Sequence, residues 1–134
     1  MKIYLDVDGV ILTKDKEQME GLRDFLLAIS SLFPNDIYWL TTHCKENDTS
    51  RVLGHLKGLL DDDLYQILET VKPTTWYELK TEAIDFNEDF YWFDDCVFLA
   101  EQNILKEKGV YDSWIKVGNN LGDITKFLQN INVE

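Results

Sequence analysis

The sequence is poor in cysteine and in basic residues, and it contains no long apolar run. Its two cysteines, Cys44 and Cys96, are too few and too far apart to form a disulfide framework in a chain of 134 residues that can bury its own core. A reducing, cytoplasmic setting is therefore expected. The N-terminal MKIYLDVDGV is broken by carboxylates well before the ~18 consecutive apolar residues that read as membrane-spanning, and it carries no small-residue cleavage site. These absences predict a soluble, unexported protein with no membrane partner. Thirteen basic side chains against 25 acidic ones give a formal charge of −12, a field that repels duplex nucleic acid and anionic lipid. A small phosphorylated ligand is not excluded, because a bound cation can invert the field at one site.

What is present is ample material for a core. Hydrophobic residues make up 45% of the chain and aromatics 13%, which predicts one globular domain over residues 1–134. No internal repeat, low-complexity tract or linker interrupts it. Lys2 to Val7 reads as a short buried strand, with Gly9 breaking it. From Glu17 to Ser30 the residues Met19, Leu22, Phe25, Leu26 and Ile29 recur at helical spacing, and Pro34 with Asn35 stops the pattern. Ile37 to Leu40 reads as a strand and the polar string Thr41 to Ser50 as a loop. Val52 to Leu60 reads as a helical face weakened by Gly54 and Gly58, and Asp61 to Asp63 as a solvated turn lacking a calcium-loop pattern.

The stretch Tyr65 to Val71 is ambiguous, with a strand expected around Gln66 to Leu68. A short helix near Lys80 leads to the strand Phe90 to Phe93, a helix over Val97 to Glu107, a strand over Trp114 to Val117, and a last helix whose face is Leu121, Ile124, Phe127, Leu128 and Ile131. Strands alternating with helices predict an α/β, Rossmann-like fold, a mostly parallel sheet with helices on both faces in three layers.

In open parallel sheets, ligands bind beyond the carboxyl ends of the strands. There the sequence offers Asp6 and Asp8 after the first strand, Thr41 and Thr42 after the second, and Asp94 with Asp95 after the aromatic strand. Four carboxylates at one sheet edge repel one another unless a cation is present, and Mg2+ is the hard, oxygen-seeking choice. Lys80 at a helix start opposes the helix dipole, a departure from local rules of the sort expected at functional sites. Each feature has a plainer alternative: the threonines as strand ends, Lys80 as a solvated helix residue, Asp94 and Asp95 as helix caps. His43 reads more simply as an incidental loop histidine than as a substrate contact, and His55 as a surface residue. The GNNLGD stretch from Gly118 reads as a capped turn, with lining of a substrate site as the alternative.

Taken together, DVDGV, YWLT ending at Thr41, ELKTEAI around Lys80 and FYWFDD resemble, in order and in position after strands, the four motifs of the haloacid dehalogenase (HAD) superfamily of aspartate-nucleophile phosphotransferases. The resemblance spans Met1 to about Asp95. It implies that Asp6 attacks phosphorus and becomes an aspartyl phosphate, and that Asp8 is the general acid and base. Thr41, Thr42 and Lys80 would hold phosphate oxygens, with Lys80 also neutralising Asp6. Asp6, Asp94 and the backbone carbonyl of Asp8 would bind Mg2+, with Asp95 supporting them from behind. Lys72 competes with Lys80 for the third motif, and Val10 stands where many members carry Thr. The segments between Gly9 and Ile37 and between Thr42 and Lys80 are too short for the family's cap domains, so a capless phosphatase is expected.

A small phosphorylated metabolite or nucleotide is the substrate the acidic charge favours. The missing cap favours a phosphoprotein or nucleic-acid end, or an enzyme that closes its site by oligomerising, a homodimer being one option. A catalytically silent binding module is the third reading, which the intact Asp6, Asp8 and Lys80 oppose.

Overall fold

The computed structural model describes residues 1–131. Four strands, β1 (Lys2–Leu5), β2 (Ile37–Trp39), β3 (Phe90–Asp94) and β4 (Trp114–Lys116), alternate with helices α1 (Leu22–Leu32), α2 (Ser50–Leu56), α3 (Asp62–Leu68), α4 (Leu99–Glu107) and α5 (Leu121–Ile131). All strand pairings are parallel, and the sheet order is β2-β1-β3-β4. The protein is thus α/β with a parallel sheet, compatible with a Rossmann-like fold. Among the described residues no helix is long and apolar enough to cross a membrane.

Side chains on a strand alternate between faces, so a strand covered on both sides reads as a continuous apolar run. β1 shows this directly. Ile3 and Leu5 enter one cluster with Phe25 and Ile29 of α1 and Leu121 and Leu128 of α5. Tyr4 enters another with Trp92 of β3, Leu40 and Leu105 of α4. Trp39 and Trp92 are buried core residues, whereas Trp114 at the sheet edge is only partly buried. Trp76 joins the second cluster, under the Lys45 ammonium 4.3 Å from its ring centroid.

Helices α1, α2 and α3 each differ from the expected elements. Helix α1 begins at Leu22 rather than Glu17, because residues before it form a tight loop: the Thr13 hydroxyl accepts the N–H groups of Asp15 and Glu17, and Gly21 has φ 82. Helix α2 ends at Leu56, with Gly58 at φ 81 turning the chain. The strand expected around Gln66 to Leu68 is instead part of helix α3. Acidic residues open it, where they complement the helix dipole, and Leu64 and Leu68, one turn apart, are fully buried. The acidic run is therefore a helix start, with Asp61 and Asp63 ion-paired to Arg23 of α1.

Sheet order sets up the site. The chain leaves β1 for β2 on one side and returns to β3 on the other, so the carboxyl ends of β1 and β3 flank the point where the order reverses, the place where such sheets bind ligands. Leu5 is in register with Phe93 and with Trp39. The next residues of the three strands, Asp6, Asp94 and Leu40 leading to Thr41, thereby come out side by side.

Candidate active site

Asp6 is held at the end of β1 by its own N–H, which donates to the Phe93 carbonyl at 3.1 Å. Beyond it the chain folds back sharply, with the Val7 carbonyl accepting from Val10, Ile11 and Leu12. Val10, Ile11 and Leu12 are fully buried, so the apolar residues after DVDG anchor the loop that carries the acids. Gly9 is required there for two reasons. Its φ is +86, and a Cβ would lie 2.3 Å from Cγ of Asp95. The glycine after Asp8 thus makes room for the second acid after β3.

Asp94 is 1% exposed and fully engaged. Its Oδ1 accepts the Cys96 N–H at 3.1 Å and its Oδ2 accepts the Lys80 ammonium at 2.8 Å. Lys80 Nζ also lies 3.4 Å from Oδ1 of Asp6. Two glutamates position this lysine. Glu82 accepts the N–H groups of Tyr77, Glu78 and Leu79. Glu101, itself 2% exposed, accepts the Lys80 N–H at 2.7 Å and the Phe98 N–H at 3.0 Å. Glu101, not Asp95, therefore caps the start of α4, and the expected "helix near Lys80" is a single 3-10 turn, Lys80–Ala83. Lys72 lies elsewhere, beside the Tyr38 ring.

Oxygens of Asp6, Asp94 and Asp95 all fall within 4.8 Å of one another. Burial is the main reason that each carboxyl is pushed up from its ordinary value. For Asp94, with Asp6 as a like-charged neighbour, the value reaches about 6 despite Lys80. Lys80 moves the other way: burial works against its charge, but Asp6 and Asp94 outweigh it and raise its pKa. Two buried carboxylates and the exposed Asp95 face one ammonium, leaving an excess of negative charge, and all their donors are hard oxygens. That set fits a magnesium-type cation.

Asp6, Asp8, Gly9, Lys14, Thr42, Lys80, Asp94, Asp95 and Cys96 line a single cavity of about 310 Å³. Thr41 is fully buried behind it, its hydroxyl accepting the His43 N–H at 3.3 Å, so Thr42 is the threonine that faces the cavity. The Asp8 side chain, 63% exposed, does not join the other three carboxylates. Its Oδ2 lies 3.1 Å from Nε2 of His43, whose ring stacks on His55 with centroids 4.1 Å apart and planes 15° from parallel. Burial, and then His43, hold the His55 pKa below its usual value, which favours a neutral stacking partner. Gly118 and Asn119 line a neighbouring cleft that shares Gly9, Lys14 and Asp95 with the cavity.

Lys14, His43 and Glu101 are the residues sequence reasoning missed or set aside. Glu101 had a signal, an acid three residues into a helix start. Lys14 and the Asp8–His43 contact had none, since both depend on how loops close. No protein-family model, curated protein or solved structure matches this chain.

Proposed function

We propose that the protein is a phosphomonoester phosphatase of the HAD type, with the three-layer core and open site that the motif resemblance implies. The observation that carries this reading is the contact of one buried lysine with two buried strand-end carboxylates, Asp6 and Asp94, at the sheet's reversal point.

An Asp6 oxygen attacks phosphorus in line, forming an Asp6–O–P bond as the ester P–O bond breaks. Asp8, exposed at the rim, gives its proton to the departing oxygen. It then takes a proton from the water that attacks the aspartyl phosphate, releasing inorganic phosphate and restoring Asp6. Lys80 keeps Asp6 ionised although burial raises its pKa, and it meets phosphate charge with its remaining donor capacity. Thr42 and the exposed Lys14 are placed to receive the outer phosphate oxygens. Magnesium, held by carboxylates from Asp6, Asp94 and Asp95 with the backbone of Asp8 as a further donor, would offset the charge that accumulates during transfer.

A small phosphorylated metabolite or nucleotide suits the charge of −12. One observation favours a macromolecular phosphoester instead: Phe98 and Leu99, next to Cys96 of the cavity wall, are 64% and 70% exposed. The test of the reading is phosphate release with magnesium present, across sugar phosphates, nucleotides, phosphopeptides and phosphorylated oligonucleotides, comparing wild type with Asp6→Asn. Release from at least one class, abolished in the folded variant, is expected. Equal release by both proteins would refute the mechanism.

A further inference from the structure

A second cavity, of about 270 Å³, lies beside the carboxylate cavity and shares Thr42 with it. Tyr77 on its wall is 77% exposed, the most exposed large hydrophobic side chain among the described residues. Its neighbour Trp76 is buried with a ring face occupied by Lys45, and the Lys45 ammonium also donates to the Tyr77 carbonyl at 2.7 Å. The Tyr77 backbone N–H is held in turn by Glu82, the residue that caps the approach to Lys80. A rigid backbone therefore presents the Tyr77 ring to water at the edge of a polar cleft, which is the form of a stacking platform.

The same wall carries Arg51, which makes no hydrogen bond or ion pair among the described residues, and Glu46. A flat ring that stacks and offers both acceptors and donors along its edge satisfies all three. The volume falls just under the ~300 Å³ at which pockets begin to enclose drug-sized ligands, so it suits one ring system rather than a length of polymer.

We propose that this cavity is the leaving-group subsite and receives a nucleobase, making nucleoside monophosphates the substrate class. The proposal rests on the phosphatase reading for its catalytic half. The wall shared at Thr42 sets base and phosphate sites side by side, with the sugar bridging them.

The test compares AMP with ribose 5-phosphate, which lacks only the base, in wild type, Tyr77→Ala and Tyr77→Phe. In turnover, wild type should prefer AMP in kcat/KM. Tyr77→Ala should lower the AMP to ribose 5-phosphate ratio by roughly tenfold or more, the scale of one lost base–aromatic stack, and Tyr77→Phe should retain it. A calorimetric titration of the same three proteins with AMP reads the subsite without chemistry. Hydrolysis of both esters with equal efficiency, or a ratio unmoved by Tyr77→Ala, would overturn the subsite and leave the phosphatase reading standing. Tyr77-dependent AMP binding with no phosphate release from any ester would uphold the subsite and overturn the phosphatase reading. If wild type neither binds AMP nor hydrolyses it, the proposal is overturned outright.

Discussion

The Lys80 ammonium lies 2.8 Å from Oδ2 of Asp94, one of the most buried carboxylates of the protein, and reaches Asp6 from the same position. Removing it strands two carboxylates in a dry site. Lys80→Met should therefore destabilise the protein by about 3–5 kcal/mol at neutral pH, the range for a buried pair that loses one partner. Urea denaturation at pH 7.5 measures this, and a change within ~0.5 kcal/mol would mean that the lysine is effectively solvated.

The crowding of Asp94 has a pH signature. Burial, and then Asp6, raise its carboxyl to about 6 from an ordinary 3.8, and Asp6 and Asp95 shift in the same direction. Between about pH 6 and 3.8 the folded protein binds more protons at Asp94 than the unfolded chain, so this group makes folding more favourable as pH falls through that window. The gain is fully present below 3.8 and lost as pH rises through 6. Magnesium should reverse the preference, raising the melting temperature at pH 7.5 most and at pH 5 least, because it binds only the ionised carboxylates. Melting curves with and without the metal at the two pH values check both signs. An equal metal effect at both would contradict the assignment of these carboxylates.

Asp8 stands apart from that cluster, turned to His43 at 3.1 Å, which suits a group that must exchange protons with a leaving group and with water. Asp8→Asn should cost about 10²–10⁴-fold on alkyl phosphates, and far less on p-nitrophenyl phosphate, whose leaving group needs no proton. His43→Ala should show the same asymmetry at smaller size, since it frees the Asp8 side chain without removing it. Single-turnover rates on the two ester types decide. Equal losses on both, in a protein that still binds magnesium, would remove Asp8 from this role.

How much of this was legible beforehand follows the range of the interactions. Asp6 and Asp94 could be placed because strand ends are local features and parallel order alone brings such ends together, and Lys80 because a cation opening a helical turn departs from the local rule. The α3 helix was misread because a seven-residue element has little periodicity to show. A window starting at Tyr65 also omits Leu64, half of its buried pair, and the acids that open it. The start of α1 was missed because Gly21 acts through a left-handed φ that spacing does not encode. The Asp8–His43 contact joins residues 35 apart through two loops, and of the two expected threonines only Thr42 lines the cavity, Thr41 being fully buried. Those are tertiary outcomes with no local signature.

In the proposed mechanism Asp6 carries the phosphoryl group. The most direct measurement is mass spectrometry of the acid-quenched enzyme, with magnesium, during turnover of a phosphomonoester found in the release screen. A phosphoryl adduct is expected on the peptide containing Asp6 and not in Asp6→Asn, and with p-nitrophenyl phosphate, whose leaving group needs no proton, it should be more abundant in Asp8→Asn, which forms the intermediate but hydrolyses it slowly. Phosphate release at an undiminished rate from Asp6→Asn, or an adduct on any other residue, would contradict the mechanism.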